Sequence, residues 1–86
     1  MLDIYVHPHA LKHGLEKESI ELAWRQYFRQ RRRAESDGNQ VVSVGIDQKG
    51  RLIQMIGVIT EDGVLIYHAL TPPTENVLSE LGLARR

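Results

Sequence analysis

The sequence predicts an α+β domain: a small antiparallel sheet of three to four strands, N-terminal helices packed on one of its faces, and a short C-terminal helix. Three observations predict it. Apolar residues recur at helical spacing early in the chain, at Ile20, Ala23, Trp24, Tyr27 and Phe28. From Val41 onward the pattern becomes short β-branched runs separated by the turn sequences Asp47-Gln48-Lys49-Gly50 and Glu61-Asp62-Gly63. A chain of 86 residues and 9.8 kDa has room for one core, so 1–86 reads as one domain.

Taken in order, Asp3 to Val6 is the first strand. Pro8 suits the first turn of a short helix, His9 to His13, which Gly14 ends in a left-handed cap. A longer helix is expected from about Glu16 to Arg32, with Glu16, Glu18 and Glu21 at its start and arginines at its end, both favourable to the helix dipole. Ser36-Asp37-Gly38-Asn39 is a turn-rich linker. Three strands follow, Val41 to Ile46, Arg51 to Thr60 and Val64 to Leu70. Thr71-Pro72-Pro73 ends the last of them, because proline cannot join a ladder. A closing helix runs from about Thr74 to Leu81, with Thr74 as its cap and Gly82 past its end.

A four-residue loop in the first hairpin would set Ile46 opposite Arg51 and Val44 opposite Ile53. One face then carries Val42, Val44, Ile46, Ile53, Met55 and Ile59, joined by Val64, Ile66, His68 and Leu70. The other takes Leu52, Gln54, Ile56, Val58, Leu65 and Tyr67. Both faces are largely apolar. The helices cover one; the other is half exposed or serves as a surface for a partner or a second copy, as in a homodimer.

Composition narrows the function classes. There is no cysteine, so neither a disulfide nor a thiolate metal site is available. No apolar run approaches the roughly 20 residues that cross a bilayer, and the N-terminus lacks a signal-peptide pattern, so a cytoplasmic location is expected. Eleven bases balance eleven acids, yet Arg25, Arg29, Arg31, Arg32 and Arg33 lie together with no acid among residues 22–34. Such a stripe is either a solvated helix end or a contact for phosphate or an acidic partner. His9 and His13 share the i, i+4 spacing of a metal pair, but no third ligand follows and no metal is expected. His68 interrupts an apolar strand, either as a core histidine satisfied by a carbonyl or as a general acid or base. Arg51 opens the central strand, either as an edge charge or as an anion clamp. No glycine-rich phosphate loop or nucleophile constellation is present, and no cofactor is expected.

Three segments carry a resemblance: His9-Ala10-Leu11-Lys12-His13-Gly14-Leu15 followed by Glu18, Ile20 and Ala23; Gly50-Arg51-Leu52; and Ile66-Tyr67-His68-Ala69. In that order and spacing, from about Ile4 to Gly82, the chain resembles the small BrnT-like toxins of the RelE-type ribonuclease superfamily, especially short actinobacterial members with a Lys-His-Gly-Leu signature. The resemblance implies a metal-independent mRNA endonuclease, acting on RNA that is free or on the ribosome, and neutralised by a cognate antitoxin. In such an enzyme a base activates the ribose 2′-hydroxyl and cationic groups stabilise the charge that develops on phosphate. On this reading His68 is the general acid or base and Arg51 the phosphate clamp. Arg25, Arg29, Arg32, Arg33, Lys12 and His13 would contact RNA or the antitoxin. The chain departs from the pattern after Leu70: no Lys or Arg lies between Arg51 and Arg85, where such toxins carry a basic segment. The alternative is a catalytically inactive, toxin-like protein-binding module.

Overall fold

A computed structural model describes residues 3–36 and 38–83 and shows an α+β fold built on a five-stranded sheet. Strand β1 (Asp3–Val6) leads through a single 3-10 turn, Pro8–Leu11, into helix α1 (Lys17–Arg25). Then come β2 (Tyr27–Arg32), a second 3-10 turn Ala34–Ser36, β3 (Gln40–Ile46), β4 (Leu52–Ile59), β5 (Gly63–Leu70) and α2 (Glu75–Glu80). The strands lie in the order β1-β5-β4-β3-β2; β1 runs parallel to β5 and every other pair is antiparallel.

Four expectations need correction. The sheet has five strands rather than three or four. The short helix His9 to His13 is one 3-10 turn ending at Leu11. The long helix stops at Arg25, and the arginine stripe forms the edge strand β2 instead. A helix through residues 25–33 would crowd five like charges onto adjacent turns. In a strand, alternation sends Arg29 and Arg31 to one side and Arg32 to the other, while Tyr27 and Phe28 suit β structure. Gln26 marks the switch: its backbone N–H still bonds Leu22 O at 2.8 Å, while its side-chain amide donates to Ile46 O on β3 at 3.0 Å.

The fourth correction is register. Ile46 faces Leu52 and Val44 faces Gln54. Asp47 is the cause. Its N–H bonds Arg51 O at 3.1 Å, which places Asp47 opposite Arg51 and leaves a three-residue loop ending at Gly50, whose φ is +77°. That slip reassigns the faces. A bulge on β5 reassigns them again: Ile56 faces His68 and Gly57 faces Ile66, so Tyr67 is extra.

Each sheet face carries a different helix. On one, α1 and the first 3-10 turn bury Ile20, Ala23, Ala10 and Leu15 against Ile53, Met55, Ile66 and Ala69. On the other, Val77 and Leu81 pack on Val42, Val44 and Ile56. Each large aliphatic side chain buried this way contributes on the order of 1.5–3 kcal/mol. Thr74 caps α2 as expected, its hydroxyl accepting from Val77 N at 3.3 Å. Ion pairs hold the helix to the edge strand. The Glu80 carboxylate takes two bonds from Arg33, each 2.8 Å, and one from Arg31 at 3.2 Å, while Arg29 Nη1 donates to Leu81 O at 2.9 Å.

Candidate functional site

Arg51 and His68 lie apart. Ile56 is the residue opposite His68, five positions along from Arg51, which is about 16 Å at strand rise. Arg51 is also engaged. Its Nε and Nη2 bond the buried Asp47 carboxylate at 2.8 Å, and Nη2 also reaches Glu16 Oε1 at 3.1 Å and Ser19 Oγ at 3.3 Å. Hydrogen bonding from Lys49, with a further bond from Arg51, holds Glu16 down at a pKa of about 2. This cluster staples the first hairpin to the start of α1.

His68 sits on the α2 face, half-buried. Its Nε2 lies 2.9 Å from Gln54 Nε2. The Gln54 carbonyl end accepts from Thr74 N at 2.7 Å and Thr74 Oγ1 at 3.1 Å, so the nitrogen end must be the one facing the imidazole. The amide donates; His68 Nε2 accepts; the ring proton is on Nδ1. Burial, then the nearby His13, Lys12, His9 and Arg33, push the His68 pKa below the ordinary histidine value. Protonation would set donor against donor at Gln54.

That arrangement predicts a pH dependence. A histidine with a lowered folded pKa takes up its proton in the unfolded chain first, so stability falls as pH drops below the ordinary value of 6.5 and is flat above it. Melting temperatures of the parent should decline as pH falls below 6.5, and His68→Gln should flatten that decline. Parallel curves for the two proteins would refute the assignment.

The resemblance-derived residues divide into three groups. Lys12 and His13 follow the first 3-10 turn and flank His68; the His13 ring meets the His68 ring edge-on, centroids 6.1 Å apart. Arg33 belongs to the same neighbourhood through Gln40, whose carbonyl accepts from Arg33 Nη1 at 2.9 Å and whose amide donates to Tyr67 Oη. That bond leaves the phenol proton of Tyr67 able to donate to a ligand. Arg29 is spent on α2. Arg25 and Arg32 rim a groove on the α1 face, floored by Ile4, Val41, Ile59 and Val64 and walled by Trp24, with a volume of about 620 Å³.

The sequence reading missed Tyr67, Gln40 and Gln54. Gln54 carried a signal, a lone amide inside the apolar run Leu52–Ile59. Tyr67 carried none, because only the bulge sets it beside His68 at the face. No three metal-ligating groups converge among the described residues, where His7 Nδ1 instead accepts from His9 N at 3.0 Å. No described helix is long and apolar enough to cross a membrane. Comparison with protein-family models, curated proteins and solved structures gives no match.

Proposed function

We propose that the chain is the toxin component of a type II toxin–antitoxin pair, a metal-independent endoribonuclease held inactive by a cognate antitoxin. One observation carries the reading: His13, whose ring meets that of His68, stands with Lys12, His9 and Arg33 close enough to His68 to act on its charge, and Tyr67 is joined to Arg33 through Gln40. A ribose-phosphate backbone is the polymer that suits it. Lys12 would face a phosphate oxygen, while Arg33, held by Glu80 and Gln40, orders the Tyr67 side of the site. Tyr67 would donate to a phosphate or ribose oxygen. On this reading the exposed His13 would take the 2′-hydroxyl proton in place of His68, whose Nε2 is bonded by Gln54 and whose ring meets that of His13 edge-on. Attack of the 2′-oxygen on the adjacent phosphorus would then expel the 5′-oxygen, which takes up a proton, leaving a 2′,3′-cyclic phosphate.

The test is RNA cleavage by purified protein, with and without ribosomes. Activity unchanged by chelator is expected, with His13→Ala lowering the rate by about 10²–10⁴ and salt weakening RNA binding. Intact RNA in every condition would refute the enzymatic reading. The second reading, an inactive toxin-like binding module, is favoured by one feature: His68 Nε2 and Arg51 Nε and Nη2 are all bonded to partners within the fold.

A further inference from the structure

The α1 face is only partly roofed. Helix α1 ends at Arg25, and its core contacts reach Ile53, Met55, Ile66 and Ala69. Toward the opposite end of the sheet lie Ile4, Val64, Ile59 and Val41, one from each of the neighbouring strands β1, β5, β4 and β3. They form the groove floor, and Trp24 closes one side by lying over Gly57, where a β-carbon would sit 3.2 Å from Trp24 Cη2. The floor is apolar; it offers nothing to a phosphate. Its rim is cationic. Arg25 and Arg32 are exposed and have no ion-pair partner among the described residues, unlike Arg31 and Arg33, which Glu80 neutralises.

We propose that this groove receives an acidic amphipathic helix from a partner protein. The floor runs across four strands, three spacings of about 4.8 Å, or roughly 14 Å in all. That length matches about ten residues of helix at 1.5 Å rise. Such a helix would lie beside α1 and complete the layer, its apolar stripe on Val41, Val64 and Trp24. Its carboxylates would pair with Arg25 and Arg32 at the rim, where charge steers encounter and fixes orientation. Charge complementarity over an apolar floor selects a protein helix over RNA, which would need cations beneath it. The inference deepens the partner half of the proposed function and rests on it for the existence of a partner. RNA cleavage is assigned to His13, Lys12 and His68, none of which lines the groove, so the two can fail separately.

Trp24 is the only tryptophan in the chain, which makes the groove directly observable. The probe is a synthetic peptide of about twelve residues, with leucines at helical spacing and glutamates on both flanks. Titration should shift Trp24 emission saturably. Arg25→Glu combined with Arg32→Glu should weaken binding at least about tenfold, as should replacing the peptide's glutamates by glutamine. Both arginines are exposed, so the double variant should melt like the parent. No emission shift overturns the proposal, as does binding indifferent to charge reversal. A single-stranded RNA oligonucleotide that displaces the peptide, and is lost with the same two substitutions, overturns it in favour of a nucleic-acid groove.

Discussion

Gly45→Ala is expected to destabilise the domain by about 3 kcal/mol, the upper end for overpacking a core. A β-carbon at Gly45 would fall 1.9 Å from the carbonyl oxygen of Ala23 and 2.8 Å from its carbon. Those are backbone atoms of a packed helix, so no side-chain rotation relieves the clash. Either α1 lifts from β3, uncovering Ile20 and Ala23, or the strand bows. The smaller unfolded-state entropy of alanine returns only about 0.4–1 kcal/mol. In a domain whose net stability is on the order of 5–15 kcal/mol, that loss is large. It corresponds to a fall in melting temperature of roughly 12–24 °C at this size. Circular dichroism melts measure it, and a variant melting with the parent would mean that α1 does not approach β3 so closely.

Asp47→Ala is the next largest expected loss, about 2–3 kcal/mol. The Asp47 side chain is fully buried, and it accepts from Lys49 N at 3.0 Å, Arg51 N at 2.8 Å and Arg51 Nε at 2.8 Å. Removing it strands two hairpin amides and a guanidinium. The figure is set below that for a wholly buried pair because the Arg51 side chain is 32% exposed. Burial pushes the Asp47 pKa up, but the bonds from Arg51 and Lys49 outweigh it and hold the carboxyl below its ordinary value of 3.8. Its contribution is thus complete above that value and is lost as acid titrates the folded carboxylate. Urea midpoints of parent and variant at neutral pH test the claim; equal midpoints would show that the hairpin does not depend on Asp47.

Much of the fold was legible in the sequence. The strands beginning near Val41, Leu52 and Val64 follow from alternation and turn residues, and Thr74 was readable as a cap because its hydroxyl precedes an apolar run. What misled was continuity of period. Ile20, Ala23 and Trp24 form a true helical stripe, but Tyr27 and Phe28 extend it only arithmetically; both are half exposed, on a strand. Edge pairing to β3 and the reach of Arg31 and Arg33 to Glu80 are tertiary effects, and local spacing carries no trace of them. The site was half legible. His68 stood out as an imidazole in an apolar strand, and Lys12 and His13 as part of a short signature. Arg51 reads as either an edge charge or an anion clamp because two of its partners, Glu16 and Ser19, lie 35 and 32 positions away; only Asp47, four positions off, is local. Tyr67 depended on a bulge that periodicity hides.

The parallel seating of β1 beside β5 has a consequence for the chain as it is made. Ile4 and Val6 pair with Val64 and Ile66, about sixty residues later. During synthesis the opening strand waits, its apolar side chains unpartnered, until nearly the whole sheet exists. Tyr67 and His68 are the next residues added to β5, and His7 N bonds Ile66 O at 2.8 Å, which brings the Lys12–His13 turn alongside. Closing the sheet and bringing Lys12 and His13 beside His68 are therefore one late event, which cannot occur until β5 has been made.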